Sequence, residues 1–290
     1  MSGRRARVLL IGNSRWHWAE PSATGEVGAF PVASEAGAGG AWCGCDGPPP
    51  PPGAWAAEDL MAWAAVGPVP ERYRDLLPPS RRIATPQVPL RGAPAWLGVD
   101  RALVAWQAWR RQQALAPAPV LVADAGTVLS LTLVGREGGF LGGRLLAGAA
   151  LQWRAMAAGT VRLPELAPEL TMNGMACGAT DAEGGAALTD LWPQATTAAM
   201  EVGVLQGLAA AVAAAHGQLR QGDRTSEAAQ ESVAAGGWRG MAGLRLWLCG
   251  GDGPRLAPLL RAAGVPAVEA PHLAMEALIQ LAGVSSGPDR

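Results

Sequence analysis

The stretch VADAGTVLSLTLVGREGGFLGG, residues 122–143, decides how the chain is read. Val120 to Ala123 is a short, continuously apolar run, the pattern of a strand buried on both faces. Asp124-Ala125-Gly126-Thr127 breaks it as a turn. Leu129, Leu131 and Leu133 then alternate as a return strand should. The hairpin carries a bare carboxylate at its tip and runs on into a glycine-rich turn, GGFLGG.

The same plan occurs at the start of the chain. Val8 to Ile11 forms an apolar strand, and Gly12, Asn13 and Ser14 form the bend. Arg15 to Ala19 alternates, with Trp16 and Trp18 on one face and His17 on the other. A third glycine bend, Gly250-Gly251, lies between an apolar strand and a helix in LRLWLCGGDGPRLAPLLRAAG, residues 244–264. The repeated plan predicts two related α/β halves, residues 1–117 and 118–290, meeting near Ala116 to Ala118. Helices are predicted over Ala57–Ala65, from Arg101 (apolar face Ala102, Ala105, Trp106 and Trp109) to before Pro117, and after GGFLGG. Two more are predicted where Met200, Val204, Leu208 and Val212 recur, and over Leu273–Leu281. Residues 20–56, which include the polyproline run GPPPPPG at 47–53, and residues 217–240 read as loop.

Composition excludes several classes. With 290 residues, 49% hydrophobic and 16% charged, the chain is globular. A net charge of -1 carries no footprint for nucleic acid, and the tryptophans read as core rather than as a stacking platform. All 23 basic residues are arginine, so a lysine-bearing P-loop and Schiff-base chemistry are out. Cys43 and Cys45 form a CxC without a neighbouring histidine in sequence, and Cys177 and Cys249 stand alone. No zinc site is expected, and a reduced, cytoplasmic chain is the simpler reading. No leader is expected at the start, and no stretch is expected to reach membrane-spanning length, the best candidate around Val120 to Val134 being broken by Asp124 and Gly126. GGFLGG is not GxGxxG, which disfavours a dinucleotide fold.

In alternating α/β architectures ligands sit beyond the carboxyl ends of strands, and glycine bends let backbone N–H groups approach phosphate oxygens. A phosphorylated ligand between the halves follows. The motifs then carry a resemblance. IGNS (11–14), LGVDR (97–101), DAGT (124–127), FLGG (140–143), AGTVRLP (158–164), TTAAMEVG (196–203), CGGDG (249–253) and PHLAMEAL (271–278) resemble, in family order, the type III pantothenate kinases of the acetate/sugar-kinase, Hsp70 and actin superfamily. The IGNSRWHWA form is similar to the cyanobacterial branch.

The resemblance implies two ribonuclease-H-like (actin-like ATPase) domains with ATP in the cleft between them, a homodimer, and transfer of the γ-phosphate to the hydroxyl of pantothenate at the start of coenzyme A synthesis. It implies that Gly98, Val99, Asp100 and Arg101 hold pantothenate, with Asp100 as catalytic base, and that Thr196 touches substrate. It implies ATP contacts at Gly12, Asn13, Ser14 and Thr127, Mg2+ with the nucleotide, and a monovalent cation, K+ or NH4+, on Asp124. Each residue also has a plainer reading: Asp100 as the N-cap of a helix starting at Arg101, Arg101 as a solvated arginine, Asp124 as a turn cap, Thr127 as a β-former. His17 reads as structural or exposed. Three positions depart from the family pattern: Leu10 stands where an aspartate is usual, Ala195 where an asparagine is common, and Ala147 where proline follows the Gly-Gly turn. Trp96 is the one aromatic near the GVDR motif. Leu10 supports an alternative, a catalytically weakened homologue that binds nucleotide or pantothenate as a regulatory module. Asp252 and Asp181 are the acids considered as compensation.

Overall fold

A computed structural model describes residues 6–22, 29–32, 40–47, 55–166, 190–225 and 241–285. The described residues up to Gln107, together with those from His272 onward, form one compact unit. Those from Ala108 to Pro271 form the other.

In the first unit, β1 (Arg7–Ile11) is central because Val8 to Ile11 are apolar on both faces and all four are buried. It pairs antiparallel with β2 (Trp16–Pro21) and parallel with β5 (Leu60–Ala65). Outside β2 lie β4 (Gly40–Gly47) and β3 (Ala29–Val32), giving the order β3-β4-β2-β1-β5. Leu9, Ile11 and Trp16 build the core of one face with Trp55, Leu60, Trp63 and Tyr73. α5 (Leu273–Ser285) packs against β1 and β5.

In the second unit, β6 (Val120–Ala125) takes the central place for the same reason. It pairs antiparallel with β7 (Val128–Val134), which pairs antiparallel with β8 (Phe140–Ala147). On its other side it runs parallel to β9 (Arg245–Cys249), followed by β10 (Val268–Glu269). The order β8-β7-β6-β9-β10, three antiparallel strands and then two parallel, is the ribonuclease-H arrangement. The first sheet repeats it as β4-β2-β1-β5. A single parallel bridge from Trp63 to Arg82, with the Ile83 N–H donating to the Trp63 carbonyl at 2.7 Å, stands where a fifth strand would. The fold is therefore α/β with two ribonuclease-H-like sheets, as in actin-like ATPases.

Several expectations need correction. Residues 57–65 are not a helix: a 3-10 turn over Ala57–Asp59 leads into strand β5, and LMAWAA is a six-residue apolar run too short to distinguish the two by pattern. Residues 20–56 are not all loop, since β3 and β4 complete the first sheet. The proline-rich run lies outside the described residues apart from Gly47. The glycine-rich turn GGFLGG is mostly the start of β8, where Gly142 at φ 124° absorbs an irregularity in pairing with β7. After it comes the expected helix, α2 (Ala149–Gly159).

α1 (Val99–Leu115) is buried all round from Ala102 to Ala108, rather than along one face. α3 (Thr196–Thr225) runs into the segment expected as loop, of which 226–240 lie outside the described residues, as do Cys177 and Asp181. α3 also contains a 26-residue stretch, Thr196–Gln221, long and apolar enough to cross a membrane, which the expectation from sequence had denied. Its apolarity has a local cause: Met200, Val204, Leu208 and Val212 are buried in the core of the second sheet. α4 (Gly253–Ala262) and α5 form as expected.

Candidate active site

The predicted residues fall in two groups, one in each unit. In the first unit β1 ends at a bend so tight that the Gly12 N–H donates to the Arg15 carbonyl at 2.9 Å. A Cβ on Gly12 would lie 2.9 Å from that oxygen and 3.4 Å from Nε2 of His17, so only glycine fits. Asn13 and Ser14 are exposed at the crown of the bend.

The GVDR motif opens α1. Val99 is buried, and the Thr85 hydroxyl ties down the preceding Leu97 carbonyl at 2.6 Å. The Gly98 carbonyl accepts the Ala102 N–H at 3.0 Å, the first helical bond. Asp100 lies one residue inside the helix, not at a cap before it, and Oδ1 accepts the Arg101 N–H at 2.8 Å. The carboxylate folds back over Gly98, where a Cβ would stand 2.5 Å from Oδ1. Burial pushes the Asp100 carboxyl above its ordinary range, and the Arg101 N–H and guanidinium, its own N–H and the charge of His17 offset only part of that.

Behind the Gly12 bend lies a pair that sequence reading missed. His17 stands directly opposite Leu10 on β1 and opposite Asp46 on β4, so the three side chains share the sheet face away from the tryptophans. His17 Nδ1 and Asp46 Oδ1 are 2.7 Å apart. Burial raises the Asp46 carboxyl, but the His17 hydrogen bond and the charges of His17, Arg15 and His272 outweigh it and hold it below its ordinary value. The His272 ring, at the start of α5, stacks on Phe30 at 4.2 Å.

In the second unit Asp124 is half-buried near the end of β6, between Ser130 of β7 and Cys249 of β9. Two glycines clamp the bend that follows. The Gly148 N–H, at the start of α2, donates to the Thr127 carbonyl at 3.0 Å. Gly250, at φ 85°, packs where a Cβ would lie 2.5 Å from the Ala125 carbonyl carbon and oxygen. The Asp252 N–H donates to that oxygen at 2.9 Å. The Asp252 carboxylate is buried and faces Arg255 at 3.6 Å, while Arg255 also pairs with Glu201. Thr196 is the exposed first residue of α3.

Among the described residues no group of three His, Cys, Asp or Glu is placed to hold a metal. The Asp124 carboxylate and the Thr127 hydroxyl are the hard oxygen groups that flank the Gly126 bend in sequence, too few for a protein cage around a cation.

A family model described as type III pantothenate kinase matches residues 80–218. A type III pantothenate kinase of Synechococcus elongatus is 30% identical over 304 residues, covering 97% of this chain and 98% of the relative. One of Synechococcus sp. strain JA-3-3Ab is 33% identical over 214 residues, 72% of each chain. Among solved structures, the activator of 2-hydroxyisocaproyl-CoA dehydratase from Clostridium difficile with bound ADPNP is 11% identical, with a TM-score of 0.41 over 99% of this chain and 98% of that one. The fold rests on strand order, not on that likeness. The end-to-end match to the cyanobacterial enzyme spans both units, and the chain belongs to the type III pantothenate kinase family.

Proposed function

We propose that the chain transfers the γ-phosphate of ATP to the primary hydroxyl of pantothenate, giving 4'-phosphopantothenate in the cytoplasm as the first step toward coenzyme A, and that it works as a homodimer. The observation that carries this reading is Asp100: a half-buried carboxylate at the start of α1, curled over Gly98 and next to Arg101, in a chain of this family.

Phosphoryl transfer through a loose transition state demands positioning and charge neutralisation more than covalent help. Asp100 accepts the hydroxyl proton as the bond to phosphorus forms, and its raised carboxyl makes it a better base than a solvated aspartate. Arg101 pairs with the carboxylate of pantothenate through parallel N–H bonds, and Gly98 and Val99 shape the motif that holds the substrate. Thr196 offers a hydroxyl to the substrate. Gly12, Asn13, Ser14 and Thr127 present N–H and hydroxyl groups to ATP, where a glycine bend leaves the backbone open to phosphate oxygens. Asp124 holds a monovalent cation, K+ or NH4+, beside the nucleotide. Mg2+ entering with ATP neutralises phosphate charge when bound.

A second reading is supported by Leu10, which is apolar and buried where the family usually carries an acid. In that reading the chain binds nucleotide or pantothenate as a regulatory module without turnover. Phosphopantothenate formation by purified protein, followed by mass spectrometry in K+ and in Na+ beside Asp100→Asn, separates the two. Product from wild type, lost in the variant and dependent on K+, supports the kinase. No product from folded protein that still binds pantothenate overturns it in favour of the binding module.

A further inference from the structure

We propose that His17, held by Asp46, is a further catalytic residue that, as the imidazolium, donates Nδ1–H to Asp46 and Nε2–H to the phosphoryl group in transfer. The inference rests on the kinase reading above. It starts from placement. His17 and Asp46 are cross-strand partners, and their contact at 2.7 Å commits Nδ1 to the carboxylate. The opposite ring nitrogen, Nε2, is thereby aimed along the sheet face, and it lies 3.4 Å from where a Cβ of Gly12 would be. The imidazole thus covers the bend assigned to ATP phosphates.

The charge of His17 also acts on the carboxyl of Asp100. The group in transfer must lie between the hydroxyl held by Asp100 and the nucleotide phosphates. A side chain that covers the Gly12 bend and acts through its charge on Asp100 is placed for that group. The charged groups that act on the pair are Arg15 from the bend and His272, just before α5, on Asp46, while His17 acts on Asp100 of α1. Both side chains of the pair remain about one-third exposed, so a ligand can reach them. The chain has no lysine, so cationic donors to phosphate come only from arginine and histidine side chains. A donor aimed where charge develops in the transition state is worth far more than an exposed His–Asp pair that merely pins two strands.

The test compares equilibrium binding of ADP and of a non-hydrolysable ATP analogue, adenylyl imidodiphosphate, to wild type, His17→Ala, His17→Gln and Asp46→Asn, with thermal melts as the folding control. His17→Ala should weaken the analogue by about tenfold while ADP stays within about twofold. Asp46→Asn should weaken it less, and the double variant should be no worse than His17→Ala, because Asp46 acts through His17. With pantothenate, kcat should fall about 10²-fold in His17→Ala, and added imidazole should restore part of it. His17→Gln, which keeps a donor in the sheet, guards against a fold lost in the alanine variant. Equal effects on ADP and analogue, no effect on either, or no nucleotide binding by wild type would each overturn the proposal. Wild type that binds both nucleotides yet makes no phosphopantothenate sinks the kinase reading instead, and the ADP-to-analogue comparison still decides His17.

Discussion

Gly148→Ala perturbs the second group of site residues without replacing any of them. Gly148 precedes α2 with φ -70°, an ordinary conformation, so alanine adds no backbone strain. The penalty is steric. The added Cβ would lie 2.7 Å from the Thr127 carbonyl oxygen and 2.9 Å from its carbon, and nearer still to the Gly126 oxygen. All three are backbone atoms and cannot rotate away. An ordinary contact is about 3.5 Å, so the bend or the start of α2 must retreat by more than about 1 Å, which also stretches the bond from the Gly148 N–H to Thr127. Overpacking of this kind costs about 1–3 kcal/mol, or about 2–10 °C in Tm for a chain of this size. If the Gly126-Thr127 bend positions ATP, a 1 Å shift lowers kcat/KM for ATP by about 10²-fold. Gly159→Ala at the other end of the same helix, with nothing within 4 Å, is the control: it should leave kcat/KM unchanged and should not lower Tm. Steady-state kinetics in ATP beside a thermal melt read both numbers. A variant with lowered Tm but kcat/KM for ATP within threefold of wild type would refute the assignment of that bend to the nucleotide.

In the first unit, Gly98→Ala meets the movable end of a side chain rather than backbone. Stability should change by less than about 1 kcal/mol, while kcat falls about tenfold because the Asp100 carboxylate is turned away. Asp100→Asn should lower kcat by about 10²-fold or more and yet raise Tm near neutral pH. A carboxyl whose folded value is raised contributes stability that is present below its ordinary value and is lost as pH rises through the folded one. For the same reason the acid limb of wild-type activity should lie above the ordinary aspartate range, which a pH–rate profile reads. His216 runs the other way. Burial and Arg220 hold its imidazole below the ordinary value against a bond to the Leu244 backbone, so stability is lost as pH falls below about 6.5, and His216→Gln should flatten that part of the Tm–pH curve. Gly203 lies exposed inside α3 with nothing within 4 Å, so Gly203→Ala should stabilise by about 0.5–1 kcal/mol in denaturant titration.

The elements that could be read from sequence were those whose pattern reports burial directly. Val8–Ile11 and Val120–Ala123 are apolar on both faces because each is the central strand of its sheet, and a run of that kind has no competing explanation next to a glycine bend. The spacing of Met200, Val204, Leu208 and Val212 is legible for the same reason. What could not be read lies in thinly buried strands and in chemically ambiguous runs. β4 is GAWCGCDG, with only Trp42 clearly buried, so it looks like loop. β5 is alanine-rich, and alanine favours helix until a neighbour such as β1 overrides it.

His17 shows why that failure matters for function. On the sequence it is a histidine between tryptophans, and alternation places it on the far side of β2 from them, where it reads as exposed. Its partner Asp46 lies 29 residues away in a segment without visible strand character. Only the register of β4 on β2 puts the carboxylate opposite the imidazole, and only the register of β2 on β1 puts the imidazole behind the Gly12 bend. A motif such as GVDR carries its chemistry within four consecutive residues and survives being read as letters. A site assembled across strands exists only once the pairing is known, so a strand such as β4, whose sequence reads as loop, hides the His17–Asp46 pair until its register on β2 is seen.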